Sequence, residues 1–182
     1  MTIPNQLTLL RILLIPVFVL VFYLPFNWSN IAACGIFILA ALTDILDGYL
    51  ARKLDQTSSL GEFLDPVADK LMVAVALVLL VQQKPEIYLA LPAAVIIGRE
   101  IAVSALREWM AEIGARSKVA VSVWGKIKTI SQMVALGFLI YQEPFLGLPV
   151  YKTGLILLYC AALLTLISMF QYLIVAWPRL KE

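Results

Sequence analysis

The sequence predicts an all-α integral membrane protein of six transmembrane helices, and three observations predict it. Of its 182 residues, 62% are hydrophobic and only 14% charged, with a mean hydropathy of +0.93, far above a soluble domain. Charges and turn residues cut the chain into about six apolar segments, each near the ~20 residues that cross a bilayer. Lys and Arg cluster in alternate connections, as orientation in a membrane requires. The length suits one membrane domain over residues 1–182.

The first helix is expected at about Leu9–Leu24, after a short N-terminal juxtamembrane segment. It contains Arg11 and no small-residue cleavage site, so it reads as a retained span and not a cleaved signal. Pro25, Asn27, Ser29 and Asn30 make an uncharged turn. The second helix is expected from about Ile31 to Leu54, followed by a polar loop over Asp55–Ser59. The third runs from about Gly61 to Val81, and Gln82–Pro85 ends it. The fourth covers about Glu86–Glu108, with a charged connection over Ala111–Val119. The fifth covers about Ala120–Tyr141, a turn follows at Glu143–Pro149, and the sixth runs from about Tyr151 to Trp177.

Arg52 and Lys53 follow the second helix, Arg107, Arg116 and Lys118 the fourth, and Arg179 and Lys181 the sixth. The connection after the first helix carries no charge, and that after the fifth carries Glu143 and only Lys152. Both termini are therefore expected in the cytoplasm. Trp28 and Trp177 fall at opposite interfaces, as aromatic anchors do. The net charge of +2 is too small to point to nucleic acid. Cys34 and Cys160 sit in apolar runs and read as packing residues.

One stretch resists an apolar explanation. Asp44, Asp47, Gly48, Ala51, Arg52, Gly61, Asp65 and Asp69 form the pattern D-x2-D-G-x2-A-R-x8-G-x3-D-x3-D. A carboxylate at a bilayer centre costs ~2.5–3.5 kcal/mol. The cytoplasmic edge lowers that cost, yet four acids still need compensation. At about 100° per residue, the five residues of the second helix share a ~140° sector, and Gly61, Asp65 and Asp69 form one stripe on the third. The short loop predicts antiparallel neighbours whose carboxylates face across one seam. With no histidine in the chain, any metal is held by oxygen, which favours Mg2+ or Mn2+, with Ca2+ behind. Two such ions ~3.5–4 Å apart clamp a diphosphate. Gly48, Ala51 and Gly61 leave room for substrate, or for close helix packing. Arg52 suits a phosphate, or a positive-inside anchor.

The eight-residue pattern resembles the defining motif of the CDP-alcohol phosphatidyltransferases, with every position present. Several further segments are similar to the bacterial members that use sn-glycerol 3-phosphate: Pro4–Arg11, Gly98–Ile101, Ser104–Trp109, Val119–Ser122 and Gly125–Thr129. The resemblance implies a membrane enzyme, homodimeric and in the bacterial inner membrane, its site facing the cytoplasm. It implies transfer of the phosphatidyl group of CDP-diacylglycerol to the acceptor, with release of CMP. It makes Asp44, Asp47, Asp65 and Asp69 the ligands of two divalent cations, Mg2+ or Mn2+, and Asp69 also the general base. It places Asn5, Thr8, Gly48, Ala51, Arg52, Ser58 and Gly61 around CDP-diacylglycerol. For Asn5 and Thr8, capping of the first helix is the competing reading.

An acceptor phosphate needs cations, for which Arg99, Arg107, Lys126 and Lys128 are the candidates. Arg99 stands inside an apolar run beside Glu100, and so needs a ligand or a buried acid as partner. The absence of histidine favours direct attack by the acceptor hydroxyl over a substituted enzyme. The motif alone leaves serine, inositol phosphate and phosphatidylglycerol open as acceptors. A cation channel or transporter would carry acids through the membrane depth and inverted repeats; the acids here cluster on two helices, and no repeat is evident.

Overall fold

The computed structural model describes residues 3–54, 59–114, 123–144 and 147–180. Among these, six helices account for nearly all of the chain: α1 (Ile3–Phe22), α2 (Ser29–Leu54), α3 (Ser59–Gln83), α4 (Ile87–Glu112), α5 (Val123–Tyr141) and α6 (Val150–Leu180). Four contain spans long and apolar enough to cross a membrane: Asn5–Phe22, Ser29–Leu50, Ile87–Glu112 and Val150–Trp177. α3 and α5 carry Asp65, Asp69, Lys70 and Lys128 among their apolar residues.

The ends differ from expectation for local reasons. α1 starts at Ile3 and not near Leu9, because Pro4 is tolerated in a first helical turn. Asn5 and Thr8 therefore lie inside the helix and do not cap it. α2 starts at Ser29, whose hydroxyl accepts from the Phe26 amide at 3.3 Å and donates to the Leu24 carbonyl at 2.7 Å. α4 continues to Glu112 and stops at Gly114, whose φ of 73° is the left-handed conformation glycine adopts without penalty.

The bundle is apolar outside and polar within. Leu13, Ile45, Ile87, Ile101 and Ile156 are exposed, while Arg11, Asp47, Arg99 and Lys128 are buried. An apolar exterior of this extent would be insoluble in water and suits lipid. The apolar core sits away from those charges. Phe18 packs its ring against Phe22 and Phe37, and Leu77, Leu80, Leu136, Leu139, Ile140 and Leu158 close around them.

α1 packs against both α2 and α3, while α2 and α3 touch each other little. The seam expected between α2 and α3 is thus completed by α1. α4 lies on α6 and α3, and α5 and α6 form the most extensive helix pair. That pair depends on Gly154: a Cβ there would lie 3.0 Å from Phe138 Cβ, 3.1 Å from Leu139 Cγ and 3.2 Å from the Ala135 carbonyl. Small residues at such a crossing let helix backbones approach in lipid.

Gly154→Val should therefore destabilise the fold by about 1–3 kcal/mol through overpacking. The measurement is the denaturation midpoint of the purified chain in detergent, and an unchanged midpoint would contradict this packing.

Candidate functional site

The polar side chains gather in one half of the bundle. They come from the N-terminal halves of α1, α3 and α5 and the C-terminal halves of α2, α4 and α6. Alternating helix direction brings these halves together.

Asp44 and Asp47 share one partner, Arg11 of α1. Arg11 Nη1 lies 2.8 Å from Asp44 Oδ1, and Nη2 donates to Asp47 Oδ2. Arg11 is 1% exposed and Asp47 3%. A charge this deep requires a partner of opposite sign. One turn earlier on α1, Thr8 Oγ1 donates to Asp65 Oδ1 of α3 at 2.5 Å. Thr8 and Arg11 are three residues apart, about 4.5 Å along the helix. α1 therefore holds the carboxylates of α2 and α3 around one short stretch of its own surface. Asp69 feels the charges of Asp44, Arg11, Glu100 and Lys128.

Beside Asp69 opens a cavity of about 680 Å³. Lys70, Arg99, Glu100, Ser104, Arg107, Lys128 and Gln132 contribute to its walls. Glu100 organises the cations: its Oε1 accepts from Arg99 Nη1 at 3.2 Å and from Lys128 Nζ. Arg99 Nη2 donates to Ser168 Oγ of α6 at 2.6 Å, and its guanidinium lies 6.0 Å from the centroid of the Tyr172 ring. Lys70 Nζ donates to Ser104 Oγ at 2.5 Å. Among the described residues, Arg99 Nε and Gln132 Oε1 are buried without a hydrogen-bond partner.

These placements sort the expected site residues. Asp44, Asp47 and Asp65 come together through α1, and Asp69 joins them to the cavity. Arg99 pairs with Glu100, the buried acid that the sequence offered as its partner, and also lines the cavity. Lys128 is buried in the same wall, and Arg107 lines it from an exposed position. Asn5 and Gly61 are buried and Gly48 half-buried. Ser58 lies outside the described residues, as do the side chains of Ala51, Arg52 and Lys126.

Arg11, Lys70, Ser104 and Ser168 were not among the expected site residues. Arg11 carried the signal that singled out Arg99, a cation within an apolar run. Lys70 follows Asp69 directly. Ser104 and Ser168 carry no comparable signal, since a serine in an apolar helix ordinarily bonds its own backbone. Both do so here, to Glu100 O and Thr165 O, while also accepting from a cation.

The donor chemistry fits hard divalent cations: the carboxylates offer only oxygen. Asp44 and Asp47 already converge on a single positive group. No three acidic or thiol groups among the described residues are drawn close enough to enclose an ion. Arg11 and Thr8 engage three of the four carboxylates instead.

The family model described as CDP-alcohol phosphatidyltransferase matches residues 1–175. A protein of Pseudomonas fluorescens is 59% identical over 182 residues, covering 100% of this chain and 93% of the relative. One of Escherichia coli (strain K12) is 55% identical over 180 residues, 99% of this chain and 97% of the relative. One of Yersinia pestis (strain Pestoides F) is 54% identical over 182 residues, 100% of this chain and 98% of the relative. All three are named CDP-diacylglycerol–glycerol-3-phosphate 3-phosphatidyltransferase.

Because Glu100 holds two buried cations, Glu100→Gln should lower stability by about 1–3 kcal/mol, against little change for the exposed Glu112→Gln. Equal denaturation midpoints for the two variants would contradict the organising role of Glu100.

Proposed function

The chain belongs to the CDP-alcohol phosphatidyltransferase family, and from that premise we infer the reaction its site performs. It is an enzyme that transfers the phosphatidyl group of CDP-diacylglycerol to sn-glycerol 3-phosphate, giving phosphatidylglycerophosphate and CMP. The full-length similarity to relatives named for this reaction supports it. The observation that carries the acceptor half is the cavity itself, which sets Asp69 beside four cations, Lys70, Arg99, Arg107 and Lys128, with Glu100 and Glu108 as further acids in its walls. A small acceptor bearing a phosphate and a free hydroxyl matches that pairing.

Asp44, Asp47, Asp65 and Asp69 would hold two divalent ions, Mg2+ or Mn2+. When bound, these would neutralise the diphosphate of CDP-diacylglycerol and the charge gathering on the departing CMP. Arg99 and Lys128, oriented by Glu100 and Ser168, bind the acceptor phosphate with Arg107 and Lys70. Lys126 is the remaining candidate from the sequence. Asp69 takes the proton from the 1-hydroxyl of the acceptor, whose oxygen attacks the lipid-side phosphorus. The phosphorus–oxygen bond to CMP breaks as the new bond forms, so no covalent enzyme intermediate is required. Positioning and electrostatics supply the acceleration.

Gly48 and Gly61 give the diphosphate room beside the helix backbones. Asn5, Thr8, Ala51, Arg52 and Ser58 complete the CDP-diacylglycerol site. The protein is a single multi-pass membrane domain. The Lys and Arg of its connections support a cytoplasmic side for both termini and the site, and the family resemblance supports the bacterial inner membrane. It acts as a homodimer among membrane lipids.

The test is an acceptor panel: CMP release from CDP-diacylglycerol by the purified chain with glycerol 3-phosphate, serine, inositol phosphate or phosphatidylglycerol. Release with glycerol 3-phosphate alone, abolished by EDTA, is expected; release with serine instead would overturn the acceptor. Asp69→Asn should lower kcat by about 10²–10⁴-fold, and near-normal turnover would remove Asp69 from the role of base.

A further inference from the structure

Arg11 has no assigned task in the reaction above, yet among the described residues it is the most deeply buried cation of the site. It is 1% exposed and touches both carboxylates of the α2 pair. Its hydrogen bonding is incomplete. Nη2 donates to Asp47, whereas Nη1, 2.8 Å from Asp44 Oδ1, is an ion pair without hydrogen-bond alignment. Nε is buried with no partner among the described residues. A guanidinium normally fills its rigid fork of donors when buried. Here one guanidinium is shared by two carboxylates while its donors are only partly used. That suits a cation held by electrostatics and able to leave.

The carboxylate oxygens that Arg11 engages belong to Asp44 and Asp47, which the proposed function gives to a divalent ion. A guanidinium and a divalent ion a few ångströms apart repel strongly in a medium of low dielectric constant. Both cannot be held tightly by the same pair. The diphosphate of the lipid substrate offers the alternative partner: its oxygens match the planar fork of Arg11. Thr8, one turn away on α1, bonds Asp65 of α3.

We propose that Arg11 is an exchangeable counter-cation of the Asp44–Asp47 pair, which competes with the divalent ion and is drawn off by the diphosphate of the nucleotide lipid. The inference rests on the reading of the four aspartates as metal ligands. Two consequences follow by linkage. Metal binds weakly while Arg11 occupies the pair. Metal and CDP-diacylglycerol then strengthen one another's binding, because each releases or accommodates what the other displaces. The device spares the site an uncompensated buried acid, Asp47, when no substrate is present.

The test measures Mn2+ binding to the purified full chain in detergent, from the loss of the free-ion signal in electron paramagnetic resonance, with and without CDP-diacylglycerol. Arg11→Gln should bind Mn2+ about tenfold more tightly than wild type in the absence of lipid substrate, and should lose most of the gain that CDP-diacylglycerol gives the wild type. Arg11→Lys, which keeps the charge, should stay near wild type. Wild-type binding of Mn2+ with no tightening in Arg11→Gln would overturn this proposal alone. No Mn2+ binding by the wild type, even with CDP-diacylglycerol, would overturn the reading of the aspartates as well. A second measurement needs no variant: modification of wild-type Arg11 by phenylglyoxal, followed by peptide mass spectrometry, should be faster with Mn2+ than with EDTA. Equal rates would count against the exchange.

Discussion

The packing of α1 on α2 and α3, with its polar side chains set against their acids, is the constraint on which the rest of the structure depends. Two carboxylates in an apolar helix must be compensated, and α1 supplies the charge that does so. The same helix holds Asp65 through Thr8, so α1 fixes α2 relative to α3, which touch each other little. The first helix is thus both a membrane span and the strap of the site. Its length follows from that role, since a helix beginning near Leu9 would leave Thr8 outside the regular turn that brings it to Asp65.

A second buried acid repeats the logic across the site. Glu100 gathers Arg99 and Lys128 from α4 and α5, and Ser168 steadies Arg99 from α6. The two clusters meet at Asp69. One is rich in carboxylates and suited to a metal-bound diphosphate. The other is rich in cations and suited to an acceptor phosphate. A hydroxyl bound between them lies beside a carboxylate able to take its proton. This polarity is possible because lipid removes the usual penalty on apolar exposure, leaving the interior free for charge.

Much of this was legible in the sequence. Periodicity and charge gave six helices within a few residues at most ends, because apolar spans interrupted by polar turns have few alternative readings. The aspartate stripes on α2 and α3 were readable from helix geometry alone, while a buried acid was one of two partners expected for Arg99 because its charge stands inside an apolar run. The seam between α2 and α3 was read too simply. Loop length suggests neighbours, but it does not say that a third helix will supply partners to the acids of both. Arg11 was visible as a charge in an apolar run, and its partner was not, because the pairing spans 36 positions of sequence. Ser104 and Ser168 become site residues only through tertiary packing.

The central claim is that the acids of α2 and α3, arranged by α1, form the metal centre at which the diphosphate is cleaved. Its most direct test is anomalous X-ray scattering from crystals of the chain grown with Mn2+ and CDP-diacylglycerol. The claim predicts anomalous peaks among Asp44, Asp47, Asp65 and Asp69, in contact with the diphosphate. Bound lipid substrate with Mn2+ located elsewhere, or with none among these four residues, would contradict it.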